Sequence, residues 1–207
     1  MPVQLQTPVP PPSSQGAASP PDERVTIALI GTSDLHGYFM PRVDRGGIGV
    51  FAGYVANLRA ARKADGGAVV LLDAGDTFQG GVESDLSEGA VVVDAYNALG
   101  YTALAVGNHE FDFGSADRPG ARQDPHADMR GALKARAAQA RFPFLAANIE
   151  TGRGKPFVAP WMLMSRKIDG QTVRIASEPV SRAEPFLYHK TTRRALYDAH
   201  MSRDAGP

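Results

Sequence analysis

Apolar residues along this chain fall into short continuous runs that alternate with helically spaced ones, and each short run empties into a polar, Gly-rich loop. Val25-Thr26-Ile27-Ala28-Leu29-Ile30 has the near-continuous apolar character of a strand covered on both faces. It ends in Gly31-Thr32-Ser33-Asp34-Leu35-His36-Gly37. Ile48, Phe51, Val55 and Leu58 then recur at helical spacing, Arg59, Arg62 and Lys63 favour the negative end of that helix, and Gly66-Gly67 stops it. The pattern repeats. Ala68 to Leu72 reads as a strand running into Asp73-Ala74-Gly75-Asp76-Thr77-Phe78, and a helix over roughly 88–99 places Val92, Ala95, Tyr96 and Leu99 on one face, with Ser87 as its cap and Gly100 as its stop. A third strand, 102–106, opens into Gly107-Asn108-His109-Glu110-Phe111-Asp112. A basic helix around 128–140, with Met129, Leu133 and Ala137 inward, precedes a strand from Phe144 to Ala147 that ends at Asn148. Pro160 to Ala176 reads as a hairpin about the turn dipeptide Asp169-Gly170.

Strand, polar loop and helix, three times over, predict an α/β layer with mainly parallel strands. In such sheets ligands bind outside the carboxyl ends of the strands, which brings Asp34, His36, Asp76, Asn108 and His109 to one edge although they are far apart in sequence. Two carboxylates, an amide oxygen and an imidazole suit Mn, Zn, Fe or Mg rather than Cu(I). A carboxylate between two cations can bridge them, and Asp76, on the central motif, is the natural bridge. Such a pair of ions roughly 3.5–4 Å apart binds a phosphate ester and lowers the pKa of a coordinated water. His109 is then placed to protonate a leaving group, and Asp112 to hold its tautomer. Asp73 reads as a structural neighbour rather than a ligand, and His126, His189 and His200 as solvated side chains in irregular contexts.

Composition narrows the classes. Lys+Arg and Asp+Glu balance at 22 each, which gives no electrostatic case for a nucleic acid polymer or an anionic membrane as main partner. The absence of cysteine excludes disulfides and thiolate metal sites. No apolar run approaches the ~20 residues of a membrane span, so no span is expected. Residues 1–23 form a Pro/Ser-rich leader with no signal-peptide pattern, expected to be disordered, and 24–176 hold the patterned domain. Residues 177–207 show neither strand nor helix period, and are expected to be a divergent tail of the kind a truncated or frame-shifted gene produces.

Thr32-Ser33-Asp34-Leu35-His36-Gly37, Gly75-Asp76-Thr77-Phe78-Gln79-Gly80 and Gly107-Asn108-His109-Glu110-Phe111-Asp112-Phe113-Gly114 resemble the first three blocks of the calcineurin-like metallophosphoesterases. The likeness, over about residues 25 to 176, is to the 5′-nucleotidase branch, with its periplasmic UDP-sugar hydrolases and 2′,3′-cyclic-nucleotide phosphodiesterases; residues 94–101 and 146–149 share it. The resemblance implies the amino-terminal part of a four-layer α/β/β/α sandwich, truncated. It implies two divalent ions (Mn, Zn, Fe, Co or Mg), with Asp34 and His36 on the first, Asp76 bridging, Asn108 on the second, and His109 with Asp112 as the catalytic pair. It further implies attack on a nucleotide phosphate by a metal-bound hydroxide, in the periplasm or outside the cell. The family completes its site with later histidines whose blocks are not matched here, and its carboxy-terminal, base-holding domain is not matched either. The second ion is therefore expected to be incompletely held. Two expectations stand: an active 5′-nucleotidase-like phosphoesterase, or a catalytically incomplete fragment with partial metal binding that associates with itself or with a completing polypeptide. A Pro-rich adaptor acting through the leader is a weaker third.

Overall fold

The computed structural model describes residues 25–115, 128–152, 154–177 and 186–187. The Pro/Ser-rich leader and nearly all of the tail, including His189 and His200, lie outside the described residues, as does His126.

Four parallel strands form one sheet in sequence order: β1 (Ile27–Thr32), β2 (Ala68–Asp73), β3 (Ala103–Ala105) and β4 (Phe144–Leu145). Parallel neighbours need crossover connections, and these carry the helices. They are α1 (Gly47–Ala64), then α2 (Val82–Leu86) with α3 (Ala90–Leu99), then α4 (Gly131–Gln139). The register sets Thr32 beside Asp73, Asp73 beside Leu104 and Leu104 beside Phe144, so a single line crosses the sheet near the strand ends. The following loops all leave the sheet at that level, the edge where the sequence predicts ligands.

Alternation along the strands turns Val69, Leu71, Leu104 and Phe144 toward the helices, where they meet Val55, Val92, Val93, Tyr96, Leu99 and Leu133 in one buried cluster. Each such side chain contributes about 1.5–3 kcal/mol on burial. Val70 and Leu145 face the other way and are buried too, whereas Leu29, the register partner of Val70, is 66% exposed.

The helix predicted over 88–99 begins at Ala90, because Glu88 and Gly89 are both left-handed (φ 49° and 82°) and break the chain between α2 and α3. Ser87 closes α2 instead of opening α3, although its hydroxyl still accepts the Val91 N–H at 3.3 Å. Gly100 ends α3 in the left-handed conformation, as its position predicts. α4 is shorter than the predicted 128–140 and leaves Met129 outside the helix.

Past β4, the short β5 (Ile149–Glu150) precedes β6 (Met162–Ile168) and β7 (Gln171–Ser177), which form the predicted antiparallel hairpin. Asp169 and Gly170 both have positive φ (49° and 76°), as a two-residue hairpin turn that matches strand twist requires. The turn lies against Gly66, at the amino-terminal edge of the sheet, away from the polar loops. β8 (Phe186–Leu187) pairs in parallel with β5. Among the described residues no helix is long and apolar enough to cross a membrane.

Candidate active site

The loops after β1 and β2 continue the pairing of their strands. Ala74 N–H donates to the Thr32 carbonyl (2.8 Å), Asp34 N–H to that of Gly75 (3.0 Å), His36 N–H to that of Asp76 (3.2 Å) and Gly37 N–H to that of Thr77 (2.8 Å). Asp34 and His36 are thereby set beside Asp76. The loop after β3 approaches from the other side, and two glycines permit it. Gly75 has φ 99°, and a Cβ there would stand 2.6 Å from the Ala105 carbonyl oxygen. A Cβ on Gly107 would stand 2.2 Å from Asp76 Oδ1. That oxygen instead accepts the His109 N–H at 3.0 Å. The structure therefore brings Asp34, His36, Asp76, Asn108, His109 and Asp112 to one edge from three separate loops.

Asp34, His36 and Asp76 all have positive φ (51°, 49° and 55°). Such backbone costs roughly 1–3 kcal/mol per residue and persists where the surroundings over-determine it. Three of the five non-glycine residues with positive φ among the described residues are thus candidate ligands, a signal the sequence does not carry.

The two imidazoles are each fixed through Nδ1. His109 Nδ1 lies 2.6 Å from Asp112 Oδ2, and His36 Nδ1 lies 3.0 Å from the Gln79 carbonyl oxygen. A carbonyl only accepts, so His36 Nδ1 is the donor, and Nε2 is the ring nitrogen left to face a cation. The rings meet edge to face with centroids 4.7 Å apart.

Two carboxylates at this edge are turned inward. Asp73 accepts from Thr32 Oγ1 (2.5 Å), Tyr96 Oη (2.6 Å) and the Gly75 N–H (2.8 Å). Burial pushes its carboxyl above the ordinary aspartate value, against the pull of those bonds. Tyr96 also meets Thr77 Oγ1 at 2.9 Å and stacks on Tyr101, and burial raises its phenol pKa strongly. The second inward carboxylate, Glu110, is 1% exposed and accepts only backbone N–H groups. Burial pushes it up to about 7, while the Thr77 N–H bond pulls it down. Sequence reasoning placed Asp73 as a structural group, which its inward bonds fit, and assigned no role to Glu110. The available signal was its spacing: a carboxylate three residues after Gly107 can reach back to that N–H, as in a capping box.

Among the described residues no three His, Asp or Glu side chains stand close enough together to hold an ion as they are placed. The donors nevertheless fit a divalent cation in kind. His36 presents a free Nε2, and the Asp34 and Asp76 carboxylates and the Asn108 amide stand at the same edge. For a second ion the described residues supply Asp76 and Asn108 alone.

Residues 27–165 match the calcineurin-like phosphoesterase family. The chain is 34% identical to protein UshA of Salmonella pullorum over 158 residues, 75% of this chain and 25% of that protein. It is 31% identical to a 5′-nucleotidase of Vibrio cholerae serotype O1 over 157 residues, with the same shares. Among solved structures, a 5′-nucleotidase precursor from Thermus thermophilus is similar with a TM-score of 0.51 at 26% identity, over 84% of this chain and 34% of that one. The chain spans about a quarter of the length of the curated relatives it matches. With the parallel sheet, the loops that leave its carboxyl edge and a sequence match over most of the ordered core, this chain belongs to the calcineurin-like phosphoesterases, a family of metal-using phosphoester hydrolases.

Proposed function

We propose that this edge is a phosphoester-hydrolysis centre of the 5′-nucleotidase kind, acting on a nucleotide phosphate outside the cytoplasm. Asp34 and His36 would hold one divalent cation, Asp76 would reach both positions, and Asn108 would contribute to the second. The cation, when bound, supplies Lewis-acid neutralisation of phosphate charge and a lowered pKa for nearby water. The observation that carries the reading is the His109–Asp112 contact of 2.6 Å beside His36. Asp112 holds the proton on Nδ1, directs Nε2 outward and stabilises the imidazolium, so His109 can deliver a proton to the departing alkoxide. The Asp76 carboxylate, anchored by the His109 N–H, keeps that imidazole in a fixed relation to the ligands.

The test is release of inorganic phosphate from AMP, and of alcohol from a simple phosphodiester, with Mn(II) added. Turnover that Asp76→Asn abolishes and His109→Asn lowers by about 100-fold or more supports the reading. A second reading is favoured by the donor count: among the described residues only Asp76 and Asn108 serve the second position, and on this reading the chain binds one cation and does not turn over. Equilibrium dialysis giving one Mn(II) per chain, with no phosphate release above the Asp76→Asn level, selects it.

A further inference from the structure

Glu110 gathers backbone donors from two of the three loops that carry the candidate ligands. Its Oε2 accepts the N–H of Gly107 at 2.7 Å and of Asp76 at 3.0 Å, and its Oε1 accepts that of Thr77 at 2.7 Å. Asp76 and Thr77 belong to the loop after β2, and Gly107 to the loop after β3. Its two oxygens between them accept all three N–H bonds, and these offset the cost of burying the group. With these bonds Asp76 is held at three points. Its N–H goes to Glu110, its carbonyl accepts from His36 N–H (3.2 Å), and its Oδ1 accepts from His109 N–H (3.0 Å). That is the over-determination its left-handed backbone needs.

We infer that Glu110 is a positioning residue that latches the loop after β2 to the loop after β3 and so sets Asp76 and Asn108 as a pair of donors before a cation arrives. It acts through the backbone N–H groups of Asp76 and Gly107. The cation part of this inference rests on the reading given under Proposed function, and the latch itself does not. The His109 N–H bond to Asp76 Oδ1 also joins these two loops, but as a single bond through the candidate ligand's own side chain, and Asp73 faces the helix layer.

The experiment compares the wild-type chain, Glu110→Gln and the core control Leu71→Ala, reading the visible absorption and affinity of added Co(II) alongside thermal unfolding. A glutamine can present only one oxygen, and its amide N–H groups then oppose a backbone N–H. Glu110→Gln should weaken Co(II) binding by about 10- to 100-fold and change the band shape, as loss of a group that orients ligands does. Leu71→Ala should lower Tm while keeping the wild-type band. A Glu110→Gln protein with wild-type Co(II) band and affinity overturns the inference. Should the variant fail to fold, residue-resolved amide exchange on the metal-free wild-type chain provides a second test. The N–H groups of Asp76, Thr77 and Gly107 should exchange as slowly as that of Leu71, and exchange at the rate of exposed loop amides overturns the latch. A wild-type chain that binds no Co(II) overturns the cation reading and the donor-pair role with it, while slow exchange of those three amides would still support the latch.

Discussion

The carboxyl edge of the parallel sheet and the β6–β7 hairpin are both held by backbone hydrogen bonds, but the bonds reach over different distances. At the edge, loops from separate units pair with one another, buried Glu110 joins two of them, and buried Asp73 ties the loop after β2 to Tyr96 in the helix layer. In the hairpin each residue pairs with one a short way along the chain, from Ile168 with Gln171 out to Met162 with Ser177. Its outward side chains are open, with Leu163 53% exposed. The edge is thus a product of the whole sheet, whereas the hairpin follows from its own turn and ladder. Damage to the core should therefore lower the unfolding free energy of edge and sheet as one unit, without changing the arrangement of the edge while it is folded, and damage to the hairpin should stay local.

The largest expected effect is in the layer that supports the edge. Leu71→Ala, at a fully buried position in the helix-facing core, should cost about 2–5 kcal/mol in urea unfolding, against about 0.5 kcal/mol or less for Leu163→Ala on the hairpin. Equal losses would end the contrast. Next comes Tyr96→Phe, which takes one donor from buried Asp73 and a partner from Thr77. It should cost about 1–3 kcal/mol by chemical denaturation with Co(II) affinity unchanged, and a tenfold loss of affinity would show that the helix layer sets the ligands as well. Last comes Gly170→Ala at φ 76°, within the hairpin turn, worth about 1 kcal/mol. Faster amide exchange should be confined to β6 and β7, and faster exchange in β2 as well would show that the hairpin supports the sheet.

The parts that were legible in the sequence are those that depend on near neighbours. Asp169-Gly170 specifies its turn through the backbone conformations those two residues tolerate, and the apolar run from Ala68 to Leu72 specifies a buried strand. The short α2 went unread because five residues, Val82–Leu86, carry too little of a helical period to see. Glu110 went unread for a different reason. Beside His109 and Asp112 it looks like one more polar residue of a loop, and its partner Thr77 is 33 residues away.

By itself the sequence determined the strand–loop–helix repeats, the hairpin and the polar residues that each loop carries, because periodicity and turn chemistry act between residues close along the chain. Only the tertiary structure decided that the strand ends stand level, that Asp34, His36 and Asp76 take left-handed backbones, and that Asp73 and Glu110 turn inward. A carboxylate's direction is settled by which donors surround it and how much water is left. Here those donors come from segments that only the folded sheet brings together.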